Sequence, residues 1–269
     1  MIKALFFDID GTLLDHSPQG GGKMPASTLA CLEAAHRKGI QVFVATGRIP
    51  SMATFLKDLF PFDGAITLNG QLALGRDGEL LHHMAHHPED ILHLVEIVQK
   101  DPFPCLIIEE KESFYVTDDP VIQKHFAWAG LDAPKQYRAE RLQNHPVLQF
   151  LAYIPMEEAQ RRLASLEHIE ITTAGGDILD VIPKEGGKEV GIGAVAKQHG
   201  WQREEIMVFG DGGNDARMLR WAGTGVAMGN GAPAAKAAAD YITTPVGEDG
   251  IKNALLHFGV LTEQDLAAR

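Results

Sequence analysis

Five short apolar runs along the chain each break off in a polar, glycine-containing turn: "IKALFFDIDG" (2–11), "IQVFVATGR" (40–48), "GAITLNG" (64–70), "EIMVFGDGGND" (205–215) and "GTGVAMG" (223–229). Continuous apolarity, rather than alternation, is what a strand covered on both faces requires. Between the first two runs lies "TLACLEAAHRKG" (28–39), where Leu29, Leu32 and Ala35 recur at helical spacing and Gly39 stands where a left-handed C-cap belongs. Strands alternating with helices predict an α/β fold built on a doubly wound parallel sheet.

The middle of the chain breaks that rhythm. "CLIIEEKESFYVTDD" (105–119) reads as a hairpin turning at Glu110 to Glu112, "VLQFLAYIP" (147–155) as a strand, and "MEEAQRRLASLE" (156–167) as a helix. "IEITTAGGDILDVIP" (169–183) reads as two further strands around Gly175 and Gly176. The expectation is a small α/β unit with an antiparallel sheet, residues 85–181, inserted between the third and fourth strands of a main domain formed by 1–84 and 182–269. "SPQGGGK" (17–23) is loop-like enough to serve as a mobile flap.

Composition narrows the function. With 269 residues, 45% of them hydrophobic, the chain can bury a sizeable core. A formal net charge of -12 opposes encounter with nucleic acid or an anionic membrane, which leaves small ligands as partners. Cys31 and Cys105 show neither a pairing nor a metal-ligand pattern and read as buried small hydrophobes in a reducing compartment. The first apolar run is interrupted by Asp8 and Asp10 and carries no cleavage site, and no stretch is long enough to span a bilayer. A soluble, cytoplasmic protein is expected.

Loops at the carboxyl ends of parallel strands form the ligand crevice of such a sheet. Asp8, Asp10, Thr46, Asn69, Asp211 and Asp215 all follow predicted strands at that edge. Two aspartates one residue apart on an extended segment point to opposite sides, so one can attack while the other handles protons. A Mg²⁺ ion would take oxygens from a carboxylate, a backbone carbonyl and a carboxylate of another strand, with Asp211 the natural third ligand. Gly11 permits close approach, and Thr12 adds a hydroxyl and an amide. Thr46 and Gly47, with Lys188 as a point charge, suit a phosphoryl group.

Blander readings compete at each point. An isolated Asp-Gly pair makes an Asx turn, and Asn214 with Asp215 can simply cap a helix. A calcium loop from Asp8 fails, because Gln19 stands where the twelfth-residue glutamate belongs. His82 and His86 of "HHMAHH" have helical spacing suited to zinc, but without a carboxylate or cysteine partner the stretch reads as a solvated linker. "GIGAVA" (191–196) reads as helix packing, and "GGK" before Glu189 lacks the hydroxyl residue of a P-loop. Arg48 reads as structural or solvent-facing, and Asn69 as either a substrate contact or a turn cap.

"DIDGT" (8–12), "ATGR" (45–48), Lys188 within "IPKEGGKEVG" (182–191) and "GDGGND" (210–215) resemble the four ordered motifs of the haloacid dehalogenase-like phosphatases. With "TLNGQ" (67–71) ahead of the insert, the chain resembles their Cof-like subfamily, whose cap lies between motifs two and three. The resemblance covers essentially the whole chain, and four motifs in order are far more specific than any one. It implies that Asp8 is the nucleophile, forming an aspartyl-phosphate, and that Asp10 is general acid and then general base. It implies that Thr46 and Lys188, with Gly47, Asn214 and Asn69, serve phosphate and substrate. Asp8, the carbonyl of Asp10, and Asp211 would hold Mg²⁺, with Asp215 behind them. The implied substrates are small phosphorylated metabolites, foremost sugar phosphates. Glu189 departs from the small residue usual after the lysine, and Lys184 is an alternative cation. A phosphomutase on a phosphosugar and a non-catalytic phosphometabolite-binding module are the other readings; the intact set of Asp8, Asp10, Lys188 and Asp211 argues against the second.

Overall fold

A computed structural model of the chain describes residues 1–17, 22–173 and 178–267. Strand β1 (Ala4–Phe7) has every side chain buried, and its alternate residues enter two different cores. Leu5 and Phe7 pack with Cys31, Leu32, Ile251 and Leu255 on one face of the sheet, while Ala4 and Phe6 pack with Ile192, Val195 and Leu219 on the other. Both faces are covered by helices, which is why the strand is apolar throughout.

Around β1 the main sheet takes β2 (Gln41–Ala45) and β3 (Gly64–Thr67) on one side. On the other side lie β12 (Ile206–Gly210), β13 (Thr224–Ala227) and β14 (Tyr241–Ile242), all parallel. Two antiparallel strands, β4 (Leu72–Gly75) and β5 (Leu80–His83), extend the sheet beyond β3 before the chain leaves it. The doubly wound parallel sheet predicted from the apolar runs is therefore present, with an antiparallel hairpin added at one edge.

The second sheet has the order β10-β11-β9-β6-β7-β8: β6 (Cys105–Ile108), β7 (Ser113–Tyr115), β8 (Lys135–Gln136), β9 (Gln149–Ala152), β10 (Ile169–Thr172) and β11 (Leu179–Pro183). It is antiparallel apart from the β7–β8 pair. Helices Pro88–Lys100 and Met156–Arg162 cover its outer face through Ile91, Leu94, Val98 and Ala159. Its inner face packs on helix Pro120–Trp128 and on Ile49, Leu68 and Leu72 of the main domain. The hairpin turns between Glu109 and Glu112, where the N–H of the first donates to the carbonyl of the second over 2.9 Å. The helix expected over 156–167 ends at Arg162. The turn at Gly175 and Gly176, and most of the glycine-rich segment after Ser17, lie outside the described residues.

The histidine-rich stretch corrects the expectation of a solvated linker. His82 and His83 end β5, and His86 is buried, its Nε2 donating to the carbonyl of Val181 over 3.1 Å. Burial pushes its pKa down to about 4, so it stands as a neutral donor joining the two crossings between the domains. Among the described residues, no helix is long and apolar enough to cross a membrane.

Phe209 on β12 is fully buried and stacks on Phe7 with ring centroids 4.7 Å apart. Phe209→Ala is expected to lower stability by about 3–5 kcal/mol in urea unfolding; a loss below about 1 kcal/mol would show that the central strands do not carry the core.

Candidate active site

Four of the parallel strands each deliver one part of the site beyond their carboxyl ends. β1 ends in Asp8 and, two residues on, Asp10; β2 leads to Thr46 and Gly47; β3 leads to Asn69; β12 leads to Asp211. Gly11 has φ +86°, and a Cβ there would lie 2.3 Å from Asp211 Oδ2, so only glycine lets the first turn and the fourth meet. Thr12 Oγ1 donates to Asp211 Oδ1 over 2.8 Å and fixes that carboxylate.

Asp8, Asp211 and Asp215 bring carboxylate oxygens within 4.8 Å of one another. Lys188, the first residue of helix Lys188–His199, has a fully buried side chain whose Nζ lies 2.6 Å from Asp8 Oδ1 and 2.6 Å from Asp215 Oδ1. A lysine is buried in this way only when paired. The second oxygen of Asp215 accepts from the backbone N–H groups of Asp211 and Gly212, so Asp215 holds both the lysine and the motif loop. Lys184, the alternative cation, is exposed.

The charges do not balance. Three carboxylates against one ammonium leave two negative charges in a buried pocket. Burial, with Asp215 and Asp211 nearby, pushes Asp8 well above the ordinary carboxylate range although Lys188 opposes the shift. Burial and then Asp215 raise Asp211 to about 6. Lys188 remains charged, because the two carboxylates outweigh the burial that would lower it. A divalent cation would cancel this deficit, and an all-oxygen donor set suits a hard one.

Asp10 faces the other way, as the alternation of side chains requires. Arg48 Nε and Nη2 donate to its two carboxylate oxygens over 2.7 and 2.6 Å, and His16 Nε2 lies 2.7 Å from Oδ1. Burial alone would raise Asp10, but Arg48 and His16 outweigh it and hold the carboxyl below its ordinary range. Arg48, read from sequence as structural or solvent-facing, is thus a direct partner of an expected catalytic group; its place beside Gly47 in "ATGR" was the available signal.

Asp8, Asp10, Thr46, Gly47 and Asn214 line one cavity of about 360 Å³ between the two sheets. Thr46 Oγ1 accepts from the Arg48 N–H over 3.1 Å. The insert supplies Gln149, His125, Trp128 and Asp180 to the same cavity. None of these four carries a motif; Asp180 is visible in the sequence only as an acid interrupting "ILDVIP".

Lys188 and Asn69 lie beside this cavity rather than in its lining. Leu68 and Asn69 both have positive φ, +54° and +52°, a costly conformation for residues with side chains. Asn69 Nδ2 donates to Asp180 Oδ2 over 2.9 Å and to Gln149 Oε1 over 3.2 Å, and its Oδ1 accepts from Asn214 over 2.9 Å. It joins the two sheets instead of capping its turn. Glu189 faces Arg217, whose Nη2 lies 2.5 Å away and whose Nη1 reaches Glu170 of the insert over 2.6 Å. His87 does find partners in Glu89 and His168, but the two imidazoles stack at 4.2 Å, and parallel rings do not converge their in-plane lone pairs on one ion.

Residues 5–255 match the model of the haloacid dehalogenase-like hydrolase family. The solved HAD subclass IIB sugar phosphatase BT4131 is 36% identical with a TM-score of 0.84, over 96% of this chain and all of that one. The phosphatase BT1666 from Bacteroides thetaiotaomicron is 30% identical with a TM-score of 0.86, over 97% of this chain and 96% of that one. The 5-amino-6-(5-phospho-D-ribitylamino)uracil phosphatase YcsE of Bacillus subtilis (strain 168) is 26% identical, with 96% of each chain covered. The chain therefore belongs to the haloacid dehalogenase-like hydrolases and is a phosphatase of that family. Its second sheet, inserted between β5 and β12, makes it a member of the Cof-type branch, which carries an α/β cap.

Asp211 supplies a test of the buried charge. Its pKa is raised from 3.8 to about 6, so the fold gains stability from protonating it at low pH and loses that gain as pH rises through about 6. In cation-free protein, Asp211→Asn is expected to raise the thermal midpoint near pH 8 and to leave it unchanged below about pH 4. The reverse order would show that the carboxylate is not destabilised by its neighbours.

Proposed function

We propose that the chain is a Mg²⁺-dependent phosphatase that hydrolyses small phosphomonoesters, foremost sugar phosphates, through an aspartyl-phosphate on Asp8, in the cytoplasm. The observation that carries the reading is Asp8 itself: a cavity-lining carboxylate gripped by a fully buried lysine within a cluster two charges short of neutrality. The sugar phosphatase BT4131 and the ribityl phosphate named for YcsE support the substrate class. The proposed division is a core of 1–84 and 182–269 under a cap of 85–181.

In this mechanism Asp8 attacks phosphorus, forming the acyl-phosphate bond as the bond from phosphorus to the alcohol oxygen breaks. Asp10 gives its proton to that oxygen, then takes one from the water that attacks the aspartyl-phosphate, so that Asp8 is released as a carboxylate, Asp10 returns to its acid form and inorganic phosphate leaves. The ionised Asp10 held by Arg48 is the base form; for the first step Asp10 takes up a proton as Arg48 turns to the anionic substrate. Lys188 fixes one Asp8 oxygen and offsets charge that would repel the phosphate. Thr46 spends an acceptor position on the Arg48 N–H and keeps its proton for a phosphoryl oxygen, beside the Gly47 amide, with Asn214 in the same cavity lining. Asp8, the carbonyl of Asp10, and Asp211 would hold the Mg²⁺, with Asp215 supporting them. When bound, the ion neutralises the carboxylates and the substrate's phosphoryl oxygens.

Phosphate release from sugar, polyol and nucleotide phosphates is expected to require Mg²⁺, to stop on chelation without unfolding, and to fall to background in Asp8→Asn. Release that persists in that variant would remove Asp8 as nucleophile. Asp10→Asn is expected to cost about 10²–10⁴-fold in both formation and breakdown of the intermediate, measured by single-turnover quench. Unchanged rates would end its role in proton transfer.

A further inference from the structure

Asp180 is unlike the other acids of this site. It is the second residue of β11, where its neighbours Leu179 and Val181 turn into the core of the cap while Asp180 turns toward the cavity. Each of its oxygens is held: Oδ1 accepts from Gln149 Nε2 over 2.8 Å and Oδ2 from Asn69 Nδ2 over 2.9 Å. Both donors are buried, and Asn69 is tied in turn to Asn214. Yet no ammonium or guanidinium among the described residues comes within ion-pair reach of it, in contrast to Asp8 and Asp215. A carboxylate oxygen offers about two acceptor positions. One on each oxygen is used by these donors, and Asp180 itself lines the cavity.

The carboxylate also stands close to the phosphate-binding turn. A Cβ on Gly47 would lie 3.1 Å from Asp180 Oδ2, so the turn of Thr46 and Gly47 passes directly beneath it. Any group attached to a phosphate held at that turn lies next to Asp180. Beside Gln149 and His125 the cap contributes apolar surface: Trp128 is 74% exposed and Ile178 36% exposed, and both line the cavity. A rigid acceptor near the ester oxygen, facing bare apolar surface, suits an alcohol with hydroxyls along one edge and C–H groups on its face. A cationic alcohol is disfavoured because Arg48 shares the cavity.

We propose that Asp180 is a specificity-determining residue that accepts a hydrogen bond from a leaving-group hydroxyl near the phosphoryl group, so that the site selects polyhydroxylated phosphate esters. The inference rests on the phosphatase reading above. An ester without such a hydroxyl leaves the fixed carboxylate unpaired, and sites built to bind a hydroxyl reject the analogue that lacks one.

The test compares wild type, Asp180→Ala and Asp180→Asn on ribose 5-phosphate, glucose 6-phosphate and sorbitol 6-phosphate against p-nitrophenyl phosphate, which has no hydroxyl. For the best hydroxylated ester, kcat/KM is expected to fall about 10–100-fold in both variants, while p-nitrophenyl phosphate changes less than about 3-fold. Asn also fails, because its amide must set an N–H against one of two donors. Equal losses on both substrate types would make Asp180 a structural tie to Asn69, and no loss would remove it from the site; either overturns the proposal. A wild-type preference for phosphoethanolamine that vanishes in Asp180→Ala would also overturn it, by assigning the carboxylate to a cation. Wild type active on p-nitrophenyl phosphate but on no hydroxylated ester defeats the specificity alone. Wild type silent on every ester defeats the phosphatase reading beneath it.

Discussion

The ammonium of Lys188, shut away from solvent between Asp8 and Asp215, is the contact on which the site depends. It fixes Asp8, and through Asp215 it fixes the loop that presents Asp211. Removing either partner would strand a charge in a place where water cannot reach it, which is more damaging than the net gain from the pair would suggest. The helix that begins at Lys188 can approach so closely because Gly191 packs against Ile66 and Gly70, the role read from "GIGAVA". Core packing and phosphate chemistry therefore meet in one short helix.

A second joint lies at Asn69. Its left-handed backbone is unfavourable, and the compensation is visible in three hydrogen bonds that bind the core's fourth motif to two cap residues. Arg217 makes a parallel link on the far side, from Glu189 beside Lys188 to Glu170 in the cap. The two sheets that enclose the cavity are thus tied to one another by hydrogen bonds on one side and an ion-pair bridge on the other.

Sequence patterning reads the core well for a physical reason. Strands covered on both faces must be apolar without interruption, so Asp8 and Asp211 stand out as the first acids after a run. Lys188 is legible only by its order among motifs, since a lone lysine at a helix start says nothing about burial. Arg48 escapes because a strand-end arginine has no fixed destination in sequence; only the fold shows Asp10 at its tip. The cap residues escape more thoroughly. Asp180 and Gln149 meet through strand register, and Trp128 and His125 through the placement of a helix, neither of which leaves a local pattern. The histidines mislead because β5 is an edge strand with polar, exposed positions, so that it looks like linker.

The order of the strands has a bearing on how the molecule is made. β1 lies between β2, which follows it closely in the chain, and β12, which comes only after the whole cap. On a ribosome β1, the strand that leads to Asp8, waits with one edge open until β12 has emerged, since β12 begins only at Ile206. Such a long-range closure is slow, and an open apolar edge invites mispairing in the interval. The cap sheet, whose strands are all contiguous in sequence, can finish first, while the cluster of Asp8, Asp211 and Asp215 comes together last.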